Sequence, residues 1–230
     1  MSALLSIGAD AKTPKGETVG YRTAVLYMQP GNLSGVELCP GRSSSCFRDC
    51  IAETGRMPMP SAKLARAKRT ALFLSDGGAF ASQLYREIDS FASSCAKSGL
   101  TPAVRPNGTT DVNWEKVLPG LFTRFPEIQF YDYTKVFHRA RRFAEGRMPS
   151  NYDLTFSRSE TNARAVNRAL ALGVRIALVY RGARPATWHG FECVDGDASD
   201  LRFRDPMPSV VCLKAKGPAR RDESGFVLGF

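Results

Sequence analysis

The chain has 230 residues, 43% of them apolar, and a formal charge of +10 from 32 basic and 22 acidic side chains. That length suits one α/β domain spanning 1–230, and no apolar run is long enough for a membrane helix. The start, MSALLSIGADAK, has no basic segment and no cleavage site after an apolar run, so no signal peptide is expected, while the basic surplus favours polyanions such as DNA or RNA.

Residues 1–20 read as a weakly ordered lead-in. YRTAVLYM (21–28) is rich in strand formers and reads as the first core strand. It leads into ELCPGRSSSCFRDC (37–50), which carries Cys39, Cys46 and Cys50 around a Gly- and Ser-rich loop. Cys46 and Cys50 are four apart and share a helix face. Soft thiolates in this number favour a four-iron (4Fe-4S) iron–sulfur cluster with one open iron, or zinc with a fourth ligand from elsewhere. Unliganded structural or redox thiols are the third reading. Cys95, Cys193 and Cys212 lie in apolar segments and read as core, the last two also as a missing fourth ligand.

SAKLARAKRTALFL (61–74) is a basic amphipathic helix candidate whose Lys63, Arg66, Lys68 and Arg69 could face a phosphate backbone. A longer helix follows over 79–97, with an apolar stripe from Phe80 to Cys95 and Gly99 as its stop. Strands are expected at 100–108, 127–135, 152–160, 174–180, 190–200 and 209–217, with helices at 110–118, 136–146 and up to Leu172. Ser157 and Glu160 fit a capping box for the last of these helices. Alternating strands and helices argue a parallel sheet. A complete barrel needs about 250 residues, so the seven strand candidates point to an incomplete (β/α) barrel with mostly parallel strands and the cysteine loop after the first core strand. A doubly wound open sheet is the rival.

Each strand ends in polar residues, and α/β sites lie at the carboxyl ends of strands. Candidate cofactor-binding residues are therefore Arg105, Asn107, Asp132, Lys135, Ser157, Arg158, Glu160 and Lys214. Arg105, Lys135 and Arg158 suit a carboxylate or phosphate, and Lys214 with Lys216 suits a second anion. Asp132 and Glu160 suit ligand amines or hydroxyls; Asp195, Asp197 and Asp200 form a weaker magnesium candidate.

The strings CPG…C…C, RPNGTTDVNWE, FPEIQFYDYTK, NYDLTFSRSE and VDGDASDLRFRDP…LKAKG span residues 39–217. On them the chain resembles an uncharacterised tailed-bacteriophage protein family, which implies expression in the cytoplasm of an infected bacterial host. More distantly it is similar to radical S-adenosylmethionine enzymes, which place three cysteines in the loop after the first strand of a complete or partial TIM barrel. That likeness implies a cluster at Cys39, Cys46 and Cys50 with S-adenosylmethionine on its open iron. Two function classes follow. One is a cluster-dependent, radical SAM-like enzyme acting on a small molecule or nucleic acid. The other is a basic phage accessory protein that binds DNA or RNA, or a host or phage protein, with an iron–sulfur or zinc site kept for structure.

Overall fold

The computed structural model describes residues 3–8 and 12–230. Strand β1 (Leu5–Ile7) lies antiparallel to β2 (Tyr21–Leu26), and a 3-10 segment, Thr13–Val19, joins them. The cysteine loop carries a short helix, α1 (Ser44–Arg48), ahead of the long pair α2 (Pro60–Ser75) and α3 (Gly77–Lys97). Then come β3 (Thr101–Arg105), α4 (Trp114–Val117), α5 (Gly120–Arg124), β4 (Gln129–Thr134), α6 (Phe137–Ala144), β5 (Tyr152–Ser157), α7 (Ala163–Ala171) and β6 (Ile176–Arg181). A hairpin of β7 (Thr187–Trp188) and β8 (Phe191–Asp195) precedes β9 (Val210–Lys214) and the terminal β10 (Val227–Gly229).

The sheet runs β1-β2-β3-β4-β5-β6-β9-β8-β7, with parallel pairing from β2 to β8 and an antiparallel strand at each edge. It is mostly parallel and does not close, which is the incomplete barrel expected from the strand–helix alternation. The seven expected strands are all present; β1, β7 and β10 are additional and short. β5 and β6 pair only through Phe156↔Ile176 and Ser157↔Ala177, then splay. β10 fills the wedge by pairing with Val179–Arg181 of β6.

The two faces of the sheet differ in chemistry because strand side chains alternate. Phe130, Leu154 and Phe156 point to the helix side. There α3 buries Phe80, Leu84, Ile88, Phe91 and Cys95, while α6 and α7 bury Ala140, Val166, Ala169 and Leu170. Each large apolar side chain so buried contributes about 1.5–3 kcal/mol. On the opposite face Arg105 and Tyr131 donate to Asp200 at 3.1 and 2.9 Å, and Arg175 pairs with Asp153. Arg202 lies 3.1 Å from Asp205, and Phe203 packs edge-on against Tyr21 and Tyr131. Segment 199–205 thus fills the concave side of the sheet with its own ion pairs.

Three local expectations change. Ser157 and Glu160 form no capping box, since Asn162 is the residue preceding α7 and Glu160 reaches back to the cysteine loop instead. Helix α2 presents less of a basic face than expected, with Lys68 exposed but the other three cations engaged by the protein. Arg66 is buried and donates to the Met57 carbonyl, Arg69 is tied to Ala3, Tyr27 and Ser6, and Lys63 pairs with Glu53. The lead-in contributes both β1 and the 3-10 segment, whose Gly16 leaves no room for a side chain: a Cβ there would lie 2.9 Å from the Tyr21 carbonyl.

Candidate anion-binding site

The cysteine loop crosses the carboxyl ends of the strands. Its Cys39 packs beside Thr109, after β3; Gly41 abuts Lys135, after β4; Ser43 meets Glu160, after β5. The loop is where the sequence puts it, but it is not a metal centre. Among the described residues no group of three or more His, Cys, Asp or Glu converges in a way that could hold a metal ion. This overturns the iron–sulfur cluster, the zinc alternative and the S-adenosylmethionine that the open iron would hold, and with them the radical SAM-like reading.

The physical reason is local, because the thiols serve the protein's own backbone and packing. Cys39 Sγ accepts the Gly31 N–H at 3.2 Å and lies 3.7 Å from the Thr109 carbonyl. Cys50 Sγ accepts from the Ala52 N–H, capping a 3-10 turn, and Cys46 packs against the cluster of Ala215, Ala219, Phe226 and Val227. Burial pushes the Cys39 thiol up to about 12, with the neighbouring Asp111 and thiols adding to the rise, so it stays protonated. The magnesium candidate dissolves for the same kind of reason: Asp200 is held by Arg105 and Tyr131, while Asp197 gathers lysines.

Most of the predicted strand-end residues are likewise engaged by the chain. Asp132 is fully buried and accepts from the Asn107 N–H and side-chain amide at 2.9 Å each and from Tyr152 at 2.7 Å. Burial pushes its carboxyl up to about 7, against the pull of those donors and of Arg105 and Arg139. Asn107 also bonds Val112, Thr110 and Trp114, so it organises the turn after β3. Arg158 donates to the Gly225 and Phe226 carbonyls, anchoring the segment before β10. The carbonyl of buried Ser157 accepts from Asn162. Glu160 accepts from Ser43 at 2.7 Å and from the Ser45 N–H, so it holds the start of α1. Lys135 lies 5.8 Å from the Phe226 ring.

Lys214 is different. It lines a pocket of about 470 Å³ beside the ends of β6 and β9, together with Lys12, Lys15, Arg181, Lys216, Arg220, Ala215 and Asp197. Six cations thus face one carboxylate. Asp197 Oδ1 pairs with Lys12 at 2.8 Å and Lys216 at 2.7 Å, its Oδ2 accepts the Lys214 N–H, and its carbonyl accepts from Lys15. Burial opposes ionisation of Asp197, but the hydrogen bonds from Lys12, Lys216 and Lys214 hold it well below the usual carboxylate range. One fixed anion therefore positions lysines that would otherwise repel one another. Burial lowers the Lys12 ammonium, and Asp197 works against that.

Reading the sequence for strand ends finds Lys214, Lys216 and Asp197 but misses Lys12, Lys15, Arg181 and Arg220. The first two come from the lead-in, which crosses to the far edge of the sheet, and no local pattern announces such a crossing. Arg139, Arg175 and Arg202 are missed as interior groups. Arg139 is buried and bonds Asp111, Glu115 and Tyr152. The family model Gene product 88 matches residues 3–228. No curated protein and no solved structure matches the chain.

Proposed function

We propose, for a chain that belongs to the phage gene-product family Gene product 88, that this member is a nucleic-acid-binding protein acting through the basic pocket at its strand ends. The observation that carries the reading is the concentration of six cations around one carboxylate in a single concavity. Arg66, Arg69 and Arg158, which lie outside this pocket, donate to backbone carbonyls of the protein itself. Lysine and arginine groups that meet phosphates release counterions, and that release drives association with DNA or RNA. The position agrees with the general placement of α/β sites at the carboxyl ends of strands. Action inside an infected bacterium belongs to the same proposal.

Fluorescence anisotropy with labelled single- and double-stranded DNA and RNA tests it. The triple variant Lys15→Glu, Arg181→Glu and Lys214→Glu is expected to bind at least about tenfold more weakly at low salt, since each group would contact phosphate. A triple variant that keeps wild-type affinity, or a wild type that binds none of the four probes, defeats the proposal.

A further inference from the structure

A second concavity adjoins the first and changes what the site can take. It has a volume of about 510 Å³ and is lined by Lys15, Thr18, Val19, Ala198, Ser199, Leu201 and Arg204. Lys15 belongs to both. The two hollows thus share Lys15 and lie along the seam where the 3-10 segment Thr13–Val19 meets residues 196–204. That seam is stitched by Lys15 to the Asp197 carbonyl, Lys12 to the Gly196 carbonyl and Arg204 to the Val19 carbonyl. Arg204 lines the second hollow, Lys15 both, and Arg181, Lys214 and Arg220 the first; all five are exposed.

The chemistry of the walls is one-sided. None of the described residues lining either hollow is aromatic. Proteins that hold bases stack them on aromatic rings, whereas phosphates need only cations and N–H donors. The acid–amide pairs that read base edges are lacking in the same sense: the described lining residues include no Asn, Gln or Glu, and the single Asp is occupied by lysines. Lys214 and Lys216, two apart on extended backbone, point to one side and continue the row of charges.

We infer that the two hollows form one track for a single nucleic-acid strand, gripped through its phosphates with no reading of its bases. This rests on the nucleic-acid proposal above and specifies which part of the ligand is held. The shared chemistry is a chain of closely spaced phosphates, which inorganic polyphosphate also offers.

The test uses the full chain and three probes: a labelled single-stranded deoxyoligonucleotide, a fully abasic strand of the same length, and inorganic polyphosphate as competitor. The abasic strand is expected to bind within about threefold of the normal one. Arg204→Glu and Arg181→Glu, one from each hollow, are each expected to weaken both strands by a similar factor. Arg164→Gln on α7 serves as the control with unchanged binding, and circular dichroism checks that each variant is folded. A loss of tenfold or more for the abasic strand overturns the inference while leaving nucleic-acid binding in place. So does a folded Arg204→Glu protein with wild-type affinity, because the second hollow is then no part of the site. Polyphosphate that competes at far lower phosphate concentration than the abasic strand assigns the track to an inorganic polyanion and overturns the nucleic-acid source. Failure of both strands to bind defeats the inference together with the reading beneath it.

Discussion

Asp132 shows how a residue with the marks of a ligand group can be wholly internal. It follows a strand's apolar residues and sits among polar neighbours in sequence, as a site carboxylate would. Its oxygens face Asn107 and Tyr152, and Tyr152 in turn accepts from Arg139 at 2.8 Å. Burial raises its folded-state value to about 7 from an ordinary 3.8. The folded protein therefore holds this proton more tightly than the unfolded chain does. Stability from this group is greatest at low pH, falls as pH rises from about 4 to about 7, and is level above that. The slope is at most about 1.4 kcal/mol per pH unit. Urea unfolding of the wild type and of Asp132→Asn, measured across that range, isolates the effect because Asp153 and Asp205, also raised by burial, titrate in both proteins. The wild-type stability minus that of the variant is expected to decline through the window. A difference that stays flat, or rises, shows that the carboxyl is ionised throughout.

At the scale of elements, the sequence was most legible where periodicity is long. The stripe Phe80, Leu84, Ile88, Phe91, Cys95 is a helical face, and α3 buries it as such. The run at 174–180 is almost continuously apolar, Arg175 apart, because β6 sits in the middle of the sheet, covered on both sides. Legibility ended where a short element depends on distant partners. Glu160 could not be told from a cap of its own helix, since its real partner, Ser43, is 117 residues away. The cysteine loop is the sharpest case: three soft thiols so close in sequence suit a metal, yet what shapes the loop is its fit onto the strand ends. Gly41 marks that fit. A Cβ there would lie 2.7 Å from the Lys135 carbonyl carbon, a backbone atom that cannot swing aside. Gly41→Val is therefore expected to lift the loop from the turn after β4. Cys39, protonated and mostly covered in the native loop, should then react with a thiol reagent at least about tenfold faster, by the opening of a local unit well before global unfolding. Unchanged labelling kinetics of Cys39 in the folded variant would show that the loop is held by its other contacts alone.

For the whole molecule, the informative quantity is where the charge of +10 resides. Arg105, Arg139, Arg175 and Arg202 are set against Asp111, Glu115, Asp153, Asp200 and Asp205 inside the fold. Removing one partner from such a set costs about 3–5 kcal/mol, so these arginines serve the fold and supply none of the external surplus. Among the described residues no helix is long and apolar enough to cross a membrane. The surplus is displayed outside, and at the strand ends it is concentrated to six cations against one carboxylate. Concentrated and diffuse charge make different forecasts for salt. A pocket with a net excess of five cations neutralises at most about five phosphates, and each released counterion on a single strand contributes about −0.7 to the slope of log K against log salt. The pocket's share of the slope for a single-stranded oligonucleotide, apart from what Arg204 of the adjoining hollow adds, is thus expected near −3.5 at most in magnitude. Neutralising Lys15, Arg181 and Lys214 to Ala should flatten it by about 2. If the surplus instead acted as a diffuse field, the three substitutions would lower affinity slightly and leave the slope nearly as it was. Titrations at several salt concentrations with both proteins separate the two cases, and an unaltered slope would remove the pocket as the seat of binding.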